Sequence, residues 1–235
     1  TNRVRGLERE RYRHLNKYLI EKFGERTLKI CVDGGFTCPN RDGKIGYGGC
    51  IYCSEQGSGE LITCKESIKE QLKHYFTTYR AKRANKFIVY FQNFTNTYDT
   101  VENLKQKYDS ALIDDRIVGL EVGTRPDCIN EEIAKLLASY KEKYYVCVEL
   151  GLQTSNDEIG KIINRGYTSK QFTEAVEILN KYDIDVVAHI MVGLPNETQK
   201  NIEDTVDFIN KHKLQGVKIH STYVVENTVL ADMYR

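Results

Sequence analysis

The chain has 235 residues, 40% of them hydrophobic, enough to bury one sizeable core and too few for a second full domain. A net charge of +1 and a pI near 7.5 exclude the global field of a dedicated nucleic-acid or membrane binder and leave room only for local basic patches. No apolar run nears the roughly 18 residues that cross a bilayer, and the opening TNRVRGLERERYRHL lacks the apolar core of a signal peptide, so no membrane partner and a cytoplasmic location are expected.

In chain order, a basic helix over 7–23 comes first and stands outside the pattern that follows. Residues 1–27 are therefore read as an N-terminal basic helical extension and 28–235 as the core domain. Strand 28–33 leads into a cysteine-bearing loop and helix 66–84. Strands 86–92 and 117–124 come next, then helix 130–141 with Asn130 as its N-cap, strand 144–153, helix 170–182, strand 184–193, helix 198–212 and strand 217–223. Strands that alternate with amphipathic helices predict a parallel sheet or barrel of six repeating units. A seventh helix is just beginning at Arg235, which leads us to expect a chain shortened at its C-terminus.

Alternate residues of a strand point to opposite faces, so the two faces can be read separately. In 144–153, Tyr144, Val146, Val148, Leu150 and Leu152 oppose Tyr145, Cys147, Glu149, Gly151 and Gln153. In 184–193 the inward set is Asp185, Val187, His189, Met191 and Gly193, and in 117–124 it is Gly119, Glu121 and Gly123, with Arg125 just beyond. A parallel sheet buried on both faces is apolar throughout. One polar face under a coat of helices predicts a curved sheet with a polar lumen, and a ligand at the C-terminal ends of its strands.

The loop after the first strand, TCPNRDGKIGYGGCIYC, carries three of the chain's seven cysteines, Cys38, Cys50 and Cys53. In a cytoplasmic chain a tight Cys pair favours a metal or redox site over a disulfide. Zinc and iron–sulfur sites usually take four protein thiolates or their equivalents. Cys31 is the candidate fourth ligand of a closed zinc-stapled binding module, the alternative reading. Cys31, Cys64, Cys128 and Cys147 otherwise read as small buried side chains. Three thiolates on a cluster would leave one iron open for chemistry.

Together with that loop, the stretches FQNFTNTYD, LEVGTRPD, VELGLQTSND, NRGYT and AHIMVGLPNET resemble the radical S-adenosylmethionine (SAM) superfamily. They look like the elongator catalytic subunit and, more distantly, oxygen-independent coproporphyrinogen oxidase, and most of all an uncharacterised bacterial family related to both. The resemblance implies a partial, TIM-like (β/α)6 barrel, a 4Fe-4S cluster on Cys38, Cys50 and Cys53, and SAM bound at the open iron. It implies an external electron donor and reductive cleavage of SAM to a 5'-deoxyadenosyl radical that abstracts a substrate hydrogen.

By the same resemblance, Tyr52 contacts the adenine through its backbone, and Glu121, Gln153 and Arg165 match positions that hold SAM. Arg125 is a candidate partner for the SAM carboxylate, with pairing to Asp127 as the structural alternative. His189 and Met191 face inward where the adenine would lie. No Gly-Gly-Glu follows the second strand, and Asn93 or Thr95 takes the place of that motif toward the SAM amino group. Arg3, Arg5, Arg9, Arg11, Arg13, Lys17 and Lys22, with Lys65, Lys69, Lys73, Lys82, Arg83 and Lys86, form two basic segments. They read as solvated faces or, through the elongator resemblance, as phosphate contacts that make transfer RNA the candidate substrate.

Overall fold

The computed structural model describes residues 12–55, 57 and 66–235; Arg3, Arg5, Arg9, Arg11, Cys64 and Lys65 lie outside them. Six strands, β1 (Thr27–Val32), β2 (Lys86–Phe91), β3 (Ile117–Thr124), β4 (Tyr145–Gln153), β5 (Asp185–Val192) and β6 (Gly216–Ser221), pair in sequential order and all in parallel. They form a curled half-barrel with β1 and β6 as its edges. This is the partial (β/α)6 barrel that the alternation predicts.

Helices α2 (Ile68–Thr77), α3 (Val101–Ala111), α4 (Glu131–Ser139), α6 (Ser169–Lys181) and α7 (Gln199–Ile209) carry the chain between successive strands. Their starts are legible as caps: Ser67, Thr100, Asn130, Thr168 and Thr198 each accept a bond from a first-turn backbone N–H. The helix-facing set of each of the first five strands, Ile30, Val89, Leu120, Val148 and Val186 among them, packs with Leu72, Leu104, Leu137, Phe172 and Leu179 into one apolar core. On β6 the outward residues Val217 and Ile219 stay exposed, so the helical coat stops one strand short of the edge.

Several expected elements differ in extent, among them helix 198–212, which ends at Ile209. Helix 66–84 ends at Thr77 because Thr78 is extended (φ −74°, ψ 158°), and Tyr79–Arg83 resumes as a short 3-10 turn. Among the described residues the N-terminal helix begins only at Leu15, where the His14 ring caps it, and α1 (Leu15–Phe23) ends at Gly24 in the left-handed region. Strand 217–223 stops at Ser221. Short helices α5 (Asp157–Ile162) and α8 (Val229–Tyr234) complete the chain.

Helix α1 lies across the N-terminal mouth of the half-barrel. Tyr18 donates to Asp185 at the foot of β5 (3.0 Å), Phe23 stacks edge-on against Tyr145 at the foot of β4, and Lys86 at the foot of β2 donates to the Phe23 carbonyl (2.7 Å). Helix α1 thus covers the feet of β2, β4 and β5, and the cysteine loop sits at the opposite, C-terminal rim.

Candidate active site

The cysteine loop is held from three sides. Buried Asn40 donates to the Asn164 carbonyl (2.6 Å), and Asn164, itself left-handed at φ 51°, donates back to the Gly49 carbonyl (2.7 Å). The Ile51 N–H donates to the Ile163 carbonyl (3.1 Å), while the Ile51 carbonyl accepts from Leu230 of α8 (3.0 Å). Ile51, Ile159, Ile163, Leu194 and Leu230 form a small apolar cluster beneath, with Tyr52 and Met191 packed against it. The NRGYT stretch and the last helix therefore shape the loop that carries the thiols.

Burial pushes the Cys50 thiol up to about 11, with neighbouring Cys53 adding to the shift and Arg125 opposing it. Burial likewise raises Cys53, and Arg41 opposes it; Cys38 acts on both thiols. Arg125 Nη1 stands 3.9 Å from Cys38 Sγ, and Arg41 donates to the Cys53 carbonyl (3.0 Å). Burial and the neighbouring thiols thus disfavour the thiolate at Cys50 and Cys53, and a guanidinium on either side partly opposes this. Among the described residues no three or more His, Cys, Asp or Glu side chains converge to hold a single ion. Cys31 is exposed on β1 and its charged neighbours are Lys218, Lys29, Glu149 and Glu121, none of them a thiol of the loop.

The rim beside the start of the loop is tied together by amides. Asn93 donates to Asp33 (2.7 Å), whose other oxygen accepts from Gly35 (2.7 Å), and buried Thr95 donates its N–H to Thr37, next to Cys38 (3.2 Å). Asn96 bridges the Phe91 and Gly123 carbonyls (3.1 and 2.7 Å), joining the ends of β2 and β3. FQNFTNTYD is thus the clasp between the first three strands.

At the end of β4 the register slips, with Gly151 opposite His189 and Gln153 opposite Ile190, and Gln153 adopts φ 60°. The Tyr167 hydroxyl donates to Gln153 Oε1 (2.6 Å). Arg125 and Arg165 stack on the Tyr167 ring at 4.7 and 4.8 Å. Arg165 is wholly buried, and its nitrogens serve the Leu152, Thr154 and Tyr167 carbonyls and Asp157 (2.6–2.9 Å). Arg125 forks onto Asp127 (3.0 and 2.9 Å) and donates to the Arg165 carbonyl (3.0 Å). Both guanidinium groups are engaged within the protein.

Below the rim, the lumen holds a charge network that sequence reading half anticipated. Glu149 accepts from Lys29 (2.7 Å), His189 (2.7 Å) and Lys218 (3.1 Å), and Lys29 also pairs with Glu121. Burial raises Glu121, to about 7, against the pull of Lys29; burial would raise Glu149 too, but His189, Lys29 and Lys218 hold it well below the carboxylate range. Burial lowers His189 against the pull of Glu149, and burial lowers His220 to about 4. Two lysines balance two carboxylates, which removes the large penalty of unpaired buried charge. Glu121 and His189 lie in this network, one level below the thiols. Lys29 and Lys218 went unread because lysine on a strand normally signals solvent; their alternation with Ile30 and with Val217 and Ile219 places them inward.

A model of the radical SAM superfamily matches residues 38–209, from the first loop cysteine to the end of α7. YtqA of Bacillus subtilis is 38% identical over 233 residues, covering 96% of this chain and 70% of that protein. The chain belongs to the radical SAM superfamily. Elongator complex protein 3 of Homo sapiens is 28% identical over 146 residues, 60% of this chain and 24% of that protein. Among solved structures, the radical SAM enzyme coproporphyrinogen III oxidase (HemN) of Escherichia coli shares the fold with a TM-score of 0.60 at 13% identity, over 93% of this chain and 49% of that one. The chain thus spans about half the length of that solved neighbour.

Proposed function

We propose that the chain is a radical SAM enzyme in which Cys38, Cys50 and Cys53 hold a 4Fe-4S cluster and the rim above the charge network holds SAM. The observation that carries this reading is a single loop, at the C-terminal ends of the strands, whose three cysteines lie close enough for Cys38 and Cys53 to act on Cys50. Held there, the cluster and SAM would supply radical chemistry for abstracting a substrate hydrogen, with the electron coming from an external donor.

The chain's own residues bind, orient and exclude water. Tyr52 and Met191 present an apolar wall backed by the Ile51 cluster, a surface suited to a base. Asn93, Thr95 and Gln153 supply polar groups around the rim. Arg125, beside Cys38 and Cys50, offsets the negative charge of thiolates, and Arg165 shapes the loop from within. Glu121 and His189 form the polar floor on which the cofactor rests.

Transfer RNA is the substrate we propose, on the elongator resemblance and on exposed Lys69, Lys73, Arg80, Lys82 and Arg83 around α2 and the turn that follows it. The described part of the first basic segment is less suited, since Arg13 pairs with Glu21 and Lys22 with Asp185.

Anaerobic loading with iron and sulfide tests the assignment. Brown protein that binds SAM and forms 5'-deoxyadenosine on reduction is expected. Colourless protein with one zinc per chain and no iron uptake would overturn it in favour of the four-thiolate module.

A further inference from the structure

Gln153 stands in a backbone conformation that a residue with a side chain rarely adopts, φ 60° at a bulge on the rim. Such strain persists only where the surroundings fix it, and four neighbours do so. A Cβ at Gly151 would lie 2.9 Å from both Gln153 Nε2 and the Tyr167 hydroxyl, so the glycine leaves the space that these two groups fill. The Tyr167 hydroxyl holds Gln153 Oε1 at 2.6 Å. Arg125 and Arg165 clamp the Tyr167 ring on its faces.

An amide can present either its oxygen or its nitrogen, and a phenol can either donate or accept. Two guanidinium charges on the ring favour a phenol that donates, which commits Oε1 to Tyr167 and turns Nε2 away from it. Among the described residues Nε2 has no hydrogen-bond partner. We infer that Tyr167 is a positioning residue, locking the Gln153 amide so that its N–H groups face the rim and meet a hydrogen-bond acceptor of SAM. The inference rests on the proposed contact between Gln153 and SAM.

A binding cycle on oxidised, cluster-loaded protein tests it without turnover. Tyr167→Phe keeps the clamped ring and removes the hydroxyl. We expect unchanged iron content and visible spectrum, SAM affinity lower by about fivefold, and no further loss when Tyr167→Phe is added to Gln153→Ala. Gly151→Ala keeps every polar group and pushes a methyl against the same pair; it should weaken SAM as well, and an unchanged affinity would count against the lock even if Tyr167→Phe failed to fold. If Gln153→Ala weakens SAM while Tyr167→Phe does not, or if the two losses add, the lock is wrong and the SAM site stands. If Gln153→Ala itself leaves SAM binding intact, the proposed contact fails and the inference falls with it.

Discussion

Cys38, Cys50 and Cys53 share one loop, where Cys38 acts on both Cys50 and Cys53 with Arg41 and Arg125 at their flanks; Cys128, beyond the loop, also lies within reach of Cys38 and Arg125. Cys147 is sealed in the lumen beside Glu121, and Cys31 looks onto Lys218. Alanine at 38, 50 or 53 is therefore expected to abolish iron retention, whereas Cys31→Ala should retain iron and SAM binding; iron content after anaerobic loading decides. Cluster loss in Cys31→Ala would restore that residue as a ligand. Glu121 yields a prediction in pH. Its folded value, about 7, lies above its ordinary 4.5, so between these values the folded chain keeps a proton that the unfolded chain has released. The stability it contributes is complete below 4.5 and is lost as pH rises through about 7. Denaturation of parent and Glu121→Gln should show the parent losing ground to the variant from pH 5 to pH 8, and a constant difference would mean that the carboxyl is not raised.

Elements explain why some of this was legible and some was not. Period-two alternation in β3, β4 and β5 predicted the polar lumen, because the helical coat makes every outward residue apolar. Alternation could not predict the bulge between Gly151 and Gln153, since a slip of one residue leaves no mark on composition. It also gave no hint of Tyr167, which reads as an ordinary tyrosine in a loop until the fold brings it over Gly151. FQNFTNTYD was read for SAM contacts, yet part of its content is mechanical. Asn96 alone satisfies carbonyls on both β2 and β3. Asn96→Ala leaves two buried acceptors without that partner and should lower unfolding free energy by about 1–3 kcal/mol. Chemical denaturation measures this; a loss under half a kilocalorie would show that water replaces the amide.

For the whole molecule, charge balance inside and asymmetry outside work together. The lumen neutralises its own ions, so any attraction for a polyanion must come from the outer surface. Lys69, Lys73, Arg80, Lys82 and Arg83 are exposed around α2 and its following turn. Transfer RNA binding should weaken steeply with salt, and neutralising these five should reduce the slope of log K against log salt by about 0.7–0.9 for each phosphate that the protein no longer neutralises. An unchanged slope would return these residues to the role of a solvated face. The net charge of +1 gave no sign of this arrangement, because a sum over the chain averages local patches away.

The tethers of Ile51 carry a consequence for the order in which the molecule is built. Its N–H is held by Ile163 and its carbonyl by Leu230, so the cysteine loop takes its shape partly from contacts with segments that follow it by more than a hundred residues. Closing such long loops is entropically unfavourable until the intervening strands have paired. While the ribosome is still translating β6, the loop lacks its ties to α8, and its thiols stand in a less ordered segment. Iron arriving then would meet thiols not yet gathered. An ordered cysteine loop therefore requires both the half-barrel and α8 to be in place.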